Sequence, residues 1–198
     1  MKWWGSLLAS LNCDRWHGAA LLGSLAVLAA LACGGPQLTV LLRYERTPIA
    51  QGEWWRLVTG HWVHLGPRHL LADGAGLVLL WILYARELRP AAWLLVLVCS
   101  TAAIDAGLWW GQPQIEWYAG VSGLLHGAWA AGAAAVALRG SRVGWAMLAA
   151  LAAKLAIERY AGSSLFTSGF PVVPAAHVDG ALGALLAVAA LARAHKPL

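Results

Sequence analysis

A succession of apolar stretches, each close to the length needed to cross a lipid bilayer, constrains this chain more than any other feature. A spanning helix takes about 20 apolar residues. Six stretches approach that length: Gly18–Cys33 (closed by Gly-Gly-Pro), His69–Tyr84, Ala91–Trp110, Val121–Leu138, Val143–Tyr160 and Ala175–Ala194. Several are short, which calls for local bilayer thinning or extra turns at their ends. Composition agrees: 60% of the 198 residues are hydrophobic, 12% are charged, and 13 are Trp. A soluble domain of this size cannot bury so much apolar surface. The expectation is an all-α integral membrane protein in which residues 1–198 form a single domain of six helices. Between the first two helices lies Gly34–Arg68, rich in Trp, Arg and Gly. It is too long for a passive turn and too apolar for a disordered linker, so it is expected to be a partly interfacial loop.

The formal net charge of +5 reads as loop topology. The basic residues are scattered, with no basic run and no nucleic-acid-binding motif. Lys2 and Arg15 precede the first helix, Arg86 and Arg89 follow the second, Arg139 and Arg142 the fourth, and Arg193 and Lys196 the sixth. The loop Gly111–Gly120 has neither Lys nor Arg. The positive-inside rule then places both termini in the cytoplasm. Arg43, Arg46, Arg56 and Arg68 of the first loop run against the rule, and interfacial anchoring weakens their vote. The N-terminal MKWWGSLLASLNCDRWHG lacks the apolar core and cleavage site of a secretory signal, so an uncleaved first helix is expected. Cys13, Cys33 and Cys99 share no metal spacing and read as small packing residues.

In this orientation helices two, four and six run from outside to inside, and His69, Ser122 and His177 lie at their starts. The three therefore share one depth near the outer face. Polar residues in membrane helices are costly and default to functional hypotheses. A serine hydroxyl needs a base to become a nucleophile, and histidine is the usual base. Ser122 and His177 meet only if helices four and six approach closely. Gly123 and Gly127 on one, and Ala176, Gly180 and Ala184 on the other, have the small-residue spacing that permits it. A packing seam with incidental polar residues is the alternative.

Three motifs then carry a resemblance. GVSG at 120–123 and AHVDG at 176–180 resemble the nucleophile and histidine motifs of rhomboid intramembrane serine proteases. EWWRLVTGHWVHLGPRHLLAD, Glu53–Asp73, resembles the family's stretch from a Trp-Arg in the first loop into the second helix. The resemblance spans all six expected helices. It implies a rhomboid-like bundle and a Ser–His dyad, with Ser122 as nucleophile and His177 as general base. Membrane-anchored proteins would be cut near the outer face of a bacterial inner membrane, without cofactor, metal or nucleic acid. SGLLHG after the nucleophile, with six helices and no added soluble domain, resembles the rhombosortase branch. That branch implies substrates with a C-terminal Gly-Gly motif, a membrane helix and a basic tail. The acyl group would pass to water or to another amine.

The oxyanion formed on attack needs donors. The backbone N–H of Ser122 is one, at a helix start where amides are unpaired. His69 is a second by resemblance, and Gly120, Asp73 and His126 join it as second-tier residues. The family usually has Asn where Asp73 stands, and an ionised Asp cannot donate. Either burial protonates Asp73, or His69 and the backbone act without it. His126 lies four residues after Ser122, on the same face. It can pack against His177, hydrogen-bond within the site, or itself be the base.

Several smaller signals have plain readings. His61, His64, His69 and Asp73 hint at a metal, but no HExxH appears and none is expected. Arg56 reads as a loop anchor bonding backbone carbonyls. Asp179 is two residues past His177 and points away from it on a helix, so no triad is expected. Asp105, and Lys154 with Glu158 at i, i+4, read as structural pairs or interface residues. Gly162–Pro174 is either a mobile cap or a connecting loop. A soluble α/β-hydrolase turn fails because Leu124 stands where glycine is needed. A non-catalytic rhomboid-like protein that binds membrane helices is the alternative function. A transporter would need paired mid-membrane charges or repeat symmetry.

Overall fold

The computed structural model describes Asn12 and residues 15–161 and 171–194. The nine-residue stretch 162–170, on which the expected cap falls, and Cys13 lie outside these residues. The helices, in chain order, are α1 (Arg15–Cys33), α2 (Gly35–Leu42), α3 (Arg46–Ala50), α4 (Arg56–Thr59), α5 (Pro67–Tyr84), α6 (Pro90–Ala106), α7 (Ser122–Leu138), α8 (Arg142–Ala161) and α9 (Pro174–Arg193). Proline opens α2, α5, α6 and α9. Its fixed φ suits the first turn, and its missing N–H is one the helix would leave unpaired anyway.

Among the described residues, three segments are long and apolar enough to cross a membrane: Trp16–Cys33, Pro90–Gly111 and Pro174–Arg193. The apolar α7 has 17 residues and α5 has 18. Among the polar residues that dilute α5 and α8 are His69, Asp73, Lys154 and Glu158, which gather at the site below.

α7 is the centre of the bundle. Twelve of its residues are buried, most of them Ala or Gly. Small side chains let α5, α6, α8 and α9 close around it. Towards its start the core is large and aromatic, with Tyr44, Ile104, Leu108, Tyr118 and Leu124. Towards its end it is mostly aliphatic, with Ala130, Ala131, Ala134, Ala135, Val96 and Val188. α6 and α7 grip α9 through glycine. A Cβ on Gly180 would overlap the carbonyl oxygen of Gly123, and one on Gly127 would lie 2.9 Å from the carbonyl oxygen of Gly180. Ser100 of α6 donates to that same Gly180 carbonyl at 2.9 Å. The small-residue seam expected between the fourth and sixth helices is therefore present.

The first loop carries more structure than an all-α reading anticipates. α2, α3 and α4 fold within it. A two-residue strand β1 (Tyr44–Glu45) pairs antiparallel with β2 (Trp117–Tyr118), just before Ser122. The expected role of Arg56 holds. It is buried and donates to the carbonyls of Val40 at 2.8 Å and Arg43 at 3.0 Å, and to Glu53 at 2.6 Å. Arg46 caps the far side. After Ala106 the α6 helix loosens into a π-helical turn, Gly107–Gly111, and Arg46 donates to the carbonyls of Leu108 and Trp109 at 2.7 and 2.8 Å. Trp54, Trp55, Val40, Leu41 and Val58 remain exposed on this loop. Such a surface suits the headgroup region of a bilayer. Cys33 and Cys99 are free thiols.

Candidate active site

Ser122 is the first residue of α7, His177 is in the first turn of α9, and His69 is in the first turn of α5. All three line one cavity of about 400 Å³, together with Leu65, Asp73 and Tyr118. The backbone that delivers Ser122 is fixed from outside its helix. Gly120 donates its N–H to the Gly60 carbonyl at 3.1 Å and accepts from the Tyr118 hydroxyl at 2.9 Å. Burial, followed by the negative charge of Asp73, raises the Tyr118 pKa, so the phenol stays a donor. Gly120 has φ +127°, and a Cβ there would lie 2.7 Å from the His69 ring. Only glycine meets both demands without strain.

The Ser122 hydroxyl lies 2.9 Å from His177 Nε2. His177 Nδ1 lies 2.8 Å from the Oε2 of Glu158. A carboxylate accepts, so Nδ1 carries the proton and Nε2 turns a lone pair towards the hydroxyl. That is the tautomer a general base requires. The spacing argument read Glu158 as part of a structural pair with Lys154. The pair exists, with Nζ 2.5 Å from Oε1, but the other carboxylate oxygen faces His177. An acid on a membrane helix is costly enough to call for a partner or a function, but the i, i+4 lysine already supplies a partner in the sequence. Asp179 does point away, lying against Gly107.

His126 turns neither ring nitrogen to the Ser122 hydroxyl. Its Nδ1 faces the Ser122 carbonyl at 2.7 Å, its Nε2 faces Lys154 Nζ at 2.7 Å, and its ring stacks on His177 with centroids 4.0 Å apart. Its contacts are those of packing against His177 and of hydrogen bonding within the site.

On the opposite wall, the Leu65 N–H donates to His69 Nδ1 at 3.4 Å, which leaves Nε2 as the protonated nitrogen. The Nε2 atoms of His69 and His64 converge on one oxygen of Asp73, at 3.3 and 3.1 Å. Asp73 is thus arranged as an acceptor that orients two imidazoles, and the protonated-donor alternative does not fit this geometry. His61 stands apart and pairs with Asp105 at 3.2 Å. His64, His69 and Asp73, and likewise His126, Glu158 and His177, place one donor atom each within 4.8 Å of the others. Either trio is close enough to surround a cation. As they stand, the first trio is joined by hydrogen bonds to Asp73, and the second by the Glu158–His177 bond and the stacked rings.

The site brings together a hydroxyl, an imidazole nitrogen with its lone pair turned to it, and N–H groups at a helix start, an arrangement chemically capable of acyl transfer. A stretch of 79 residues is 34% identical to "Putative rhomboid protease YdcA" of Bacillus subtilis (strain 168). The match takes in 40% of this chain and 40% of that relative's length. Residues 51–194, which include α4 to α9 and every residue of the cavity, match the Rhomboid domain family, so the chain belongs to the rhomboid family.

Proposed function

We propose that this chain is an intramembrane serine endopeptidase in which Ser122 attacks and His177 takes its proton. The observation that carries the reading is the 2.9 Å contact between Ser122 Oγ and the unprotonated Nε2 of His177, made across two helices inside a cavity. As Oγ bonds to the scissile carbonyl carbon, its proton moves to Nε2. The oxyanion is met by the Ser122 N–H, and His69 Nε2–H joins it by leaving its Asp73 partner for the developing charge. The proton then passes to the leaving amine as the C–N bond breaks, and water releases the acyl group by the same route.

The six helices of 17 to 20 residues act as one membrane domain of six spans. Both termini are cytoplasmic, as the arginine distribution favours. In that orientation the cavity, lined by residues of three first turns, lies near the outer face of a bacterial inner membrane. The substrates are membrane-anchored proteins. The stretch from Ser122 to Gly127, similar to rhombosortases, favours C-terminal tails built of Gly-Gly, an apolar helix and basic residues.

Two measurements test this reading. A fluorophosphonate probe is expected to label the purified protein, and labelling is expected to vanish in Ser122→Ala. A signal of equal strength without that hydroxyl would refute the nucleophile. A reporter ending in a Gly-Gly, helix and basic tail is expected to leave the membrane fraction when co-expressed with the enzyme. Release that depends equally on a tail with the glycines replaced would count against the Gly-Gly assignment while sparing the protease.

A further inference from the structure

We propose that Glu158 is a positioning residue that turns the Ser122–His177 pair into a Ser–His–Glu triad, and that Lys154 and His126 hold it there. The proposal rests on the protease reading above. Its basis is a closed ring of five side chains. From Ser122 Oγ it runs to His177 Nε2 at 2.9 Å, and from His177 Nδ1 to Glu158 Oε2 at 2.8 Å. Glu158 Oε1 meets Lys154 Nζ at 2.5 Å, and Nζ meets His126 Nε2 at 2.7 Å. His126 Nδ1 returns to the backbone carbonyl of Ser122 at 2.7 Å.

The donor and acceptor roles are consistent all the way round. The Ser122 carbonyl can only accept, so His126 Nδ1 donates and Nε2 is left with a lone pair. An ammonium can only donate, so Lys154 supplies a proton to that lone pair and another to Glu158. Glu158 then has one oxygen for His177. A carboxylate buried among apolar helices is costly unless it is paired and hydrogen-bonded. Lys154, one turn earlier on α8, supplies the neutralising charge. A purely structural ion pair would need nothing more. Here the carboxylate is split, one oxygen to the lysine and one to the imidazole, and the stacked His126 ring limits how far that imidazole can swing.

During attack the Ser122 proton goes to His177 Nε2, making an imidazolium. Glu158 stays ionised, keeps accepting the Nδ1 proton and stabilises the new positive charge. Lys154 keeps its protons throughout, and Nε2 hands its proton to the leaving amine. Glu158 therefore acts through His177 and touches no substrate.

The test measures the rate of fluorophosphonate labelling at Ser122, alongside thermal melting in detergent, on the full chain. Glu158→Gln is expected to slow labelling by about 10³-fold, because an amide cannot accept from His177 and also face the ammonium without presenting a donor to one of them. Glu158→Asp is expected to recover part of that loss, as a carboxylate on a shorter arm. The double variant Lys154→Met, Glu158→Leu removes both charges together and leaves no unpaired ion. It is expected to melt close to the wild type and still label slowly. Wild-type labelling rates in this folded double variant would overturn the triad and leave the dyad intact. Labelling that persists in Ser122→Ala would instead overturn the protease reading itself.

Discussion

Ser122→Ala is expected to leave a folded protein that cleaves an anchored reporter at least about 10⁴-fold more slowly than the wild type. His177→Ala is expected to be as inactive, and also much less stable. The two differ in what they strand. Ser122 Oγ makes a hydrogen bond to His177 Nε2. Losing it costs about 1 kcal/mol, and the residue that loses its partner, His177, lines the cavity. His177 is buried and donates to the buried Glu158. Its removal opens a hole beside the stacked ring of His126 and takes one of two partners from a charged carboxylate. Taking a hydrogen-bond donor from a buried carboxylate costs about 1.5–3 kcal/mol, of which Lys154 recovers part. Melting temperatures in detergent should therefore rank wild type and Ser122→Ala together, with His177→Ala well below. Cleavage by Ser122→Ala at a measurable fraction of the wild-type rate would remove the serine from the chemistry.

What could be read from the chain follows from which physical signals are local. The long helices and their starts come from apolar run length and from prolines at first turns, and the structure moves those boundaries by only a few residues. The Ser122–His177 meeting was legible because glycine spacing reports helix proximity directly. Glu158 was not. Its i, i+4 spacing from Lys154 is satisfied equally by an inert pair and by a carboxylate shared with a third residue. Deciding between them needs the rotation of α8 about its own axis, which no local pattern encodes. Asp73 shows the same limit. Its sequence position offers a donor or an acceptor, and only the convergence of His64 and His69 on one oxygen selects the acceptor. The π-helical turn after Ala106 and the β1–β2 pair were also invisible, since both depend on partners far along the chain, Arg46 and the strand before Ser122.

Gly180→Ala is expected to disable the enzyme without altering a single reactive atom. The added methyl would overlap the backbone carbonyl of Gly123, with Ile104 Cδ1 3.3 Å away. A flexible side chain could move aside, but a helix backbone cannot, so α9 must retreat from α7. Overpacking of this kind costs about 1–3 kcal/mol. The larger consequence is for catalysis. His177 is three residues before Gly180 on the same helix, so the seam sets the distance between its Nε2 and Ser122 Oγ. A misplacement of about 1 Å can cost 10²-fold in rate, and a loss of that order in fluorophosphonate labelling is expected here. Gly23→Ala on α1 is the matched control, because a Cβ there meets nothing within 4 Å. It should label at the wild-type rate and melt no lower, since alanine favours the helix. Gly180→Ala labelling as fast as Gly23→Ala would mean that the two helices do not lie backbone to backbone, and that the hydroxyl and imidazole are brought together by something other than the glycine seam.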